Sequence, residues 1–196
     1  MSMTPPVEAP VPPPKRNNSS LIVVVVLGGV GVMCILLIAV GAAVLFPVFA
    51  QARRTASRTD ALRRMRELSI GALMYSNDNG DRFPLAATWM DGLSKYVPMK
   101  RDFHSPGLNQ RSPLDPPGYG IAFMRSLSGA SVASIENPAQ RVMIFDSTLM
   151  GRNAASGLET VPKPPRFGNA DTGGNVFLFV DGHVMLVPAV GEVNLK

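Results

Sequence analysis

Apolar and polar positions divide the chain into one long apolar run followed by a segment of mixed character. The thirty residues 21–50 contain no charged side chain. A helix of this length covers roughly 45 Å, whereas the hydrocarbon core of a bilayer is about 30 Å thick. Lipid forces every backbone amide to bond internally, so the four glycines of the run are compatible with a helix there. The pattern predicts a transmembrane helix over 21–50.

Beyond Pro47 the apolar positions recur at helical spacing, and charged residues occupy the other face of the same segment. Because proline lacks an N–H, Pro47 is expected to bend the continuing helix. The helix is expected to end within the Asx-rich segment 77–81, which favours turns. The apolar stripe needs an element to cover it, and its members are Leu62, Met65, Leu68, Ile70, Leu73 and Met74.

Three later segments have the composition of β-strands. Residues 175–187 comprise two β-branched and aromatic runs around Asp181-Gly182, which predicts a hairpin with a two-residue turn. Residues 141–146 and 119–124 predict two further strands. These strands predict a small antiparallel sheet that covers the helix stripe, in an α+β domain. The intervening segments are rich in Pro, Gly, Ser and Asn and are predicted to be long ordered loops, namely 85–118 and 147–174.

The remaining composition suggests a simple domain organisation. Six prolines in residues 1–20 predict a disordered tail, and 51–196 is long enough for one compact domain. A secretory signal peptide is the alternative for the apolar run. Its apolar region would span only about 7–15 residues, so a retained anchor is expected. Cys34 is the only cysteine and lies within the run, so the domain has neither a disulfide nor a thiolate metal site.

The net charge of +5 owes much to arginines just beyond the apolar run. They are expected to lie on a helix surface near phospholipid headgroups, where basic residues are stabilised. No aromatic residues alternate with them, as a surface for single-stranded nucleic acid would require, so nucleic acid is not an expected partner. The cluster comprises Arg53, Arg54, Arg58, Arg63, Arg64 and Arg66.

Catalytic residue types are sparse. The two histidines, His104 and His183, show no recognised catalytic spacing, and His183 directly follows the predicted turn. We therefore expect no enzymatic activity. A Ser/His/Asp site that combines His183 with Asp146 or Asp181 remains the alternative. Two aromatic residues are expected to be core or loop anchors rather than sugar-stacking platforms, namely Trp89 and Tyr96.

A single N-terminal span that continues through a proline-containing amphipathic helix into an antiparallel sheet resembles the type IV pilins and the type II secretion pseudopilins. Several motifs are similar, in the same order, to those of bacterial prepilin-like proteins with a C-terminal His-x9-Asp-Gly motif. They are Leu45-Phe46-Pro47-Val48-Phe49 with Ala50-Gln51-Ala52-Arg53, Asp81-Arg82-Phe83-Pro84, Pro117-Gly118-Tyr119-Gly120, Ile135-Glu136-Asn137-Pro138-Ala139 and Asp181-Gly182-His183.

The resemblance implies a pilin-like fold and a non-enzymatic protein of a bacterial envelope, whose span packs against other pilin-like subunits in the bilayer. The alternative is a membrane-tethered binding module that stands alone. Pseudopilins of the secretion class can also hold calcium, and Asn77, Asp78, Asn79 and Asp81 offer suitable oxygen ligands. Gly80 interrupts the EF-hand order, so a helix-terminating turn is the alternative there. A second candidate group comprises Asn169, Asp171 and Asn175.

The chain departs from the family pattern at three places. Residues 19–24 stand where the family has its glycine cleavage point and the sequence Phe-Thr-Leu-Ile-Glu, and the span contains no glutamate. The resemblance therefore does not extend to the prepilin cleavage motif. Asp171 occupies the position of the motif histidine, so no imidazole is available there. Ser105 stands where relatives often have a cysteine before Pro106.

The sequence gives two opposite indications of orientation. Only Lys15 and Arg16 carry positive charge shortly before the span, whereas six arginines follow it, and this count favours a cytoplasmic domain. The resemblance implies the reverse, with a cytoplasmic tail and a domain outside the inner membrane. We expect the family's orientation, because arginines on a continuing helix are able to face phosphates at either leaflet.

Overall fold

The computed structural model describes residues 19–108, 118–168 and 173–188. The chain divides into two compact units between Phe49 and Ala50. The tail predicted over 1–20 lies outside the described residues except for Ser19 and Ser20, which begin a helix. In the second unit, the helix packs on a five-stranded sheet, which confirms the predicted α+β class.

Helix α1 extends over Ser19–Asp78. The prediction that the helix resumes beyond Pro47 is confirmed, because the helical backbone includes this residue. Over its N-terminal part α1 is long and apolar enough to span a membrane. The helix ends in the predicted segment, where Gly80 has a φ of 67° and Asp81 donates its N–H to the Ser76 carbonyl over 2.8 Å. This is the bonding of a Schellman motif, which satisfies carbonyls at the end of a helix.

Five strands form the sheet, namely β1 Ile121–Met124, β2 Val142–Asp146, β3 Ala155–Ser156, β4 Gly174–Phe179 and β5 Val184–Pro188. Their order in the sheet is β3-β1-β2-β4-β5. The predicted antiparallel sheet is confirmed, because pairing is antiparallel between β1 and β2, between β2 and β4, and between β4 and β5. The sequence did not predict β3, which runs parallel to β1 at the edge of the sheet. With only two residues, β3 is too short to show an alternating pattern.

The segments predicted as long loops contain more structure than expected. A short helix, α2, spans Trp89–Leu93 and buries Trp89, Met90 and Leu93. These apolar residues outweigh the proline and glycine around them because they fill the core. Single 3₁₀ turns within the two predicted loops occupy Ala86–Thr88, Lys100–Phe103 and Leu158–Thr160. Two more lie between β1 and β2, at Arg125–Leu127 and Val132–Ser134.

The predicted stripe on α1 is in fact two apolar faces. Met65 and Leu68 are buried in the core, together with Ala61 and Ala72. These four positions are spaced by three or four residues, so they share the side of α1 that packs into the core of the domain. Leu62 is partly buried against the same core. Three other members of the stripe lie on the opposite side of α1 and are exposed, namely Ile70, Leu73 and Met74.

The predicted hairpin is confirmed as β4 and β5, but its turn differs from the prediction. The Phe179 N–H donates to the His183 carbonyl over 3.0 Å, and the Gly182 N–H donates to the Phe179 carbonyl over 3.0 Å. The loop therefore has three residues, 180–182, rather than two. Among these described loop residues only Gly182 has a positive φ, 91°. A three-residue loop needs one left-handed residue at its end, whereas the predicted turn needs two.

Candidate functional site

Three neighbouring apolar side chains of α1 are exposed within the folded domain. Ile70, Leu73 and Met74 are 53%, 47% and 49% exposed. Their spacing of three and four residues places them on one side of the helix, here called the outer face. Single exposed apolar residues are ordinary on protein surfaces, but a contiguous group on one helix marks a surface suited to packing.

The tip of the β4–β5 hairpin lies directly beside this outer face. The Ser69 hydroxyl donates a hydrogen bond of 3.0 Å to the Gly182 carbonyl. A Cβ added at Gly182 would lie 3.0 Å from Ser69 Oγ and 3.8 Å from Leu73 Cδ1. The hairpin approaches α1 this closely because residue 182 has no side chain. The Asp-Gly motif predicted from the sequence is therefore part of the helix–sheet contact.

Asp181 and His183 flank Gly182 and interact with each other. His183 Nδ1 lies 2.5 Å from Asp181 Oδ1, and the His183 N–H donates to the same oxygen over 3.1 Å. The imidazole also stacks on the Phe179 ring, with 4.2 Å between centroids. Both side chains thus stabilise the hairpin tip. No serine hydroxyl is bonded to His183 among the described residues.

Asp146, the other carboxylate considered for a Ser/His/Asp site, lies in the core. It accepts hydrogen bonds from Ser105 Oγ over 2.8 Å and from the Val176 N–H over 2.7 Å. The remaining histidine, His104, stacks on Tyr119 with 4.5 Å between centroids. The described hydrogen bonds connect neither imidazole to Asp146, so they lend no support to a catalytic triad.

A buried cation beside Asp146 was missed by the sequence analysis. The Arg166 side chain is only 6% exposed, and its Nε lies 3.7 Å from Asp146 Oδ1. Its Nη2 donates to the Ser147 carbonyl over 2.5 Å, whereas Nη1 has no hydrogen-bond partner among the described residues. Burial raises the pKa of Asp146 and lowers that of Arg166, and their mutual attraction opposes both shifts.

The sequence contained little indication of this buried pair. Arg166 lies in a proline-rich segment predicted as a loop, where an arginine is usually solvated. Asp146 ends a predicted strand, and the apolar character of that strand was the only sign that its last residue is buried. Ser105 stands out in the sequence only because the pilin-like proteins that the chain resembles often have a cysteine at that position.

In the first group of calcium candidates, three of the four side chains form hydrogen bonds within the protein. Asp78 Oδ2 accepts a hydrogen bond of 2.8 Å from the Tyr96 hydroxyl. Asn79 Nδ2 donates to the Tyr75 carbonyl over 2.8 Å. Asp81 Oδ2 accepts from the Ala133 N–H over 3.0 Å. Asn77 is exposed. The alternative of a helix-terminating turn accounts for these residues, and calcium binding by them stays a prediction.

The second calcium group is only partly visible. Asn169 and Asp171 lie outside the described residues. Asn175 is buried, accepts from the Arg166 N–H over 2.9 Å and donates to the Pro162 carbonyl over 3.0 Å. In the described part of the chain, no group of three or more His, Cys, Asp or Glu side chains is placed to hold a metal ion.

The two aromatic residues considered for sugar stacking have packing roles. Trp89 is fully buried, stacks on Phe123 with 5.9 Å between centroids, and donates from Nε1 to the Ala154 carbonyl over 2.9 Å. Tyr96 is half-buried and meets the Tyr75 ring edge to face. The expectation that these residues are anchors is confirmed by these contacts.

The architecture, a long N-terminal apolar helix packed on a small mixed sheet, is consistent with a pilin-like fold. Comparison of the chain with models of known families, with curated proteins and with solved structures gives no significant match.

Proposed function

We propose that this chain is a non-enzymatic, single-pass pilin-like or pseudopilin-like protein of a bacterial inner membrane. Its apolar helix anchors it in the bilayer, and its folded domain lies outside the cytoplasm. In this role it serves as a structural subunit of a type IV pilus or type II secretion assembly. Helix α1 packs laterally against similar helices.

The observation that carries the proposal is the outer face of α1. A helix that served only to complete the core of its own domain would present polar residues on the opposite side. Here Ile70, Leu73 and Met74 place a group of exposed apolar side chains on that side of the folded domain. A second helix laid along the outer face would cover these side chains and remove their apolar surface from water, which favours association.

The span also supports close packing between helices. Gly28, Gly29 and Gly31 lie on α1, and a Cβ added at any of them would meet, among the described residues, no atom within 4 Å beyond the adjoining helix backbone. Small residues let two helix backbones approach closely in lipid, where van der Waals contact drives association. Within the described residues nothing packs on these glycines, so a neighbouring helix could approach α1 there.

Cysteine cross-linking tests assembly in native membranes. Cys34 is the only cysteine, so oxidation of membranes that contain the full chain at native expression should yield disulfide-linked dimers through this residue. The Cys34→Ser variant supplies the baseline. A partner pilin with its own cysteine would appear as a cross-linked product of different mass.

Matched substitutions connect the cross-link to the outer face. We expect Leu73→Gln to reduce the dimer yield severalfold without lowering the free energy of unfolding by more than about 0.5 kcal/mol, since Leu73 is already exposed. Leu85→Gln removes an equally large leucine that is 61% exposed elsewhere on the domain, and should leave the yield unchanged. Monomer alone at native expression would contradict assembly and favour the stand-alone tethered module.

A further inference from the structure

The arginines that follow the apolar run fall into two structurally different sets. Arg63 Nη2 lies 3.1 Å from Asp60 Oδ1 and 3.0 Å from Asp102 Oδ1. Arg64 Nη2 lies 2.6 Å from Asp60 Oδ2, and Arg64 Nη1 donates to the Arg101 carbonyl over 2.8 Å. These two arginines bind α1 to the segment that contains Asp102. Their positive charges are therefore paired with carboxylates of the same domain.

The other set, nearer the apolar run, has no such partners. Arg53, Arg54 and Arg58 are exposed, and none of them forms a salt bridge or hydrogen bond to a side chain in the described residues. No acidic residue occurs over 51–59. The first carboxylate, Asp60, is already shared by Arg63 and Arg64. Three positive charges therefore follow directly after the apolar run, and no carboxylate of the described residues is paired with them.

We propose that Arg53, Arg54 and Arg58 form a basic collar that binds the phosphates of anionic phospholipids. Three positive charges beside a membrane-spanning segment would lie near the negative headgroups. Each basic residue near an anionic membrane surface contributes about 1 kcal/mol of binding free energy. Guanidinium groups suit this role because they bind phosphate oxygens in a bidentate manner. A single-stranded nucleic acid offers the same phosphate chemistry, but the collar contains no aromatic residue on which a base would stack. A duplex needs no such residue, so duplex DNA is included in the test as a competitor.

Arg66 is exposed as well but does not belong to the collar. It lies eight residues beyond Arg58, or about 12 Å further along the helix. That separation exceeds the Debye length of about 8 Å at physiological salt, so Arg66 is largely screened from the charges at the collar. Arg66 therefore serves as a control position.

Spin-labelled lipids measure the collar's preference in the full chain. The protein is reconstituted into phosphatidylcholine vesicles with trace spin-labelled phosphatidylglycerol or phosphatidylcholine, and the motionally restricted lipid fraction is recorded. We expect the wild-type chain to prefer phosphatidylglycerol by about twofold or more at physiological salt, with the preference falling as further salt is added. The collar variant Arg53→Gln/Arg54→Gln/Arg58→Gln should bind both lipids equally.

A matched variant removes the same amount of charge elsewhere. Arg66→Gln/Lys95→Gln/Lys100→Gln changes three exposed basic residues outside the collar and should retain the wild-type preference. The proposal is overturned if the wild-type chain shows no preference for phosphatidylglycerol, or if the collar variant still shows it. It is also overturned if the matched variant loses as much of this preference as the collar variant does. Loss of the preference on addition of duplex DNA at physiological salt would overturn it in favour of nucleic acid. Lipid binding by the collar does not require assembly. Absence of Cys34 cross-linked dimers would therefore contradict the proposed function without contradicting the collar.

Discussion

At the residue scale, Gly182 joins the two layers of the domain. Its φ of 91° lies in the region that residues with a Cβ adopt only with strain, and it is required by the three-residue loop. Ser69 Oγ of α1 lies 3.0 Å from the position that a Cβ would take. A side chain at 182 would therefore strain the loop and also press the hairpin away from the helix.

The alanine substitution at this position should be costly. We expect Gly182→Ala to lower the free energy of unfolding by about 1–3 kcal/mol, as is usual for a strained backbone position. Urea denaturation of the full chain in detergent, followed by the fluorescence of buried Trp89, measures the change. Gly151→Ala is the control, because a Cβ there meets no atom within 4 Å, and it should change stability by less than about 0.5 kcal/mol. Equal stability of the two variants would contradict the described contact.

At the scale of elements, helix α1 is held to the rest of the domain by polar contacts as well as by its buried face. Arg63 and Arg64 both bind Asp60 and extend to the segment 101–104. Burial alone would raise the pKa of Asp60. The hydrogen bonds from Arg64 and Arg63 outweigh burial and hold that pKa below its ordinary value of 3.8.

This lowered pKa predicts an acid-dependent loss of stability. The unfolded chain binds a proton at Asp60 more readily than the folded chain, so the stabilisation is complete above about pH 4 and is lost as the pH falls through the folded pKa. Unfolding midpoints in urea, measured between about pH 6 and about pH 3, should fall less steeply for Asp60→Asn than for the wild-type chain.

The control for this pH experiment is Glu136→Gln. Glu136 is exposed and forms no salt bridge in the described part of the chain. This substitution should leave the wild-type pH profile unchanged. Identical profiles for Asp60→Asn and the wild-type chain would mean that the Arg63 and Arg64 contacts do not stabilise the carboxylate.

At the scale of the whole molecule, orientation is the question on which charge and architecture point in opposite directions. Arg63 and Arg64 are paired with Asp60 and Asp102 in the folded domain. The orientation rule counts Lys and Arg near the span and gives little weight to Asp and Glu, so these pairs do not reduce the excess of six arginines after the span. The proposed orientation therefore runs against this count.

Reporter fusions test the orientation directly. A C-terminal alkaline phosphatase fusion of the full chain in a bacterial host should be active, because the enzyme needs the oxidising environment outside the inner membrane. A second fusion has, at the same position, a fluorescent protein that fluoresces only in the cytoplasm. This fusion should show no fluorescence. An inactive phosphatase on an intact fusion, together with a fluorescent partner, would place the domain in the cytoplasm.

The sequence by itself determined the elements whose patterns are long or chemically specific. Thirty residues without charge predict a helix that fits a bilayer, and Asp181-Gly182 between two apolar runs predicts the hairpin. Only the tertiary structure decided which apolar side chains of α1 are buried, because helical spacing groups residues without saying which group meets the sheet. It also brought Arg166 beside Asp146 and Asp102 beside Arg63. The members of each pair are far apart in the sequence, and only the packing of the whole domain brings them together. Local sequence patterns therefore could not predict these pairs.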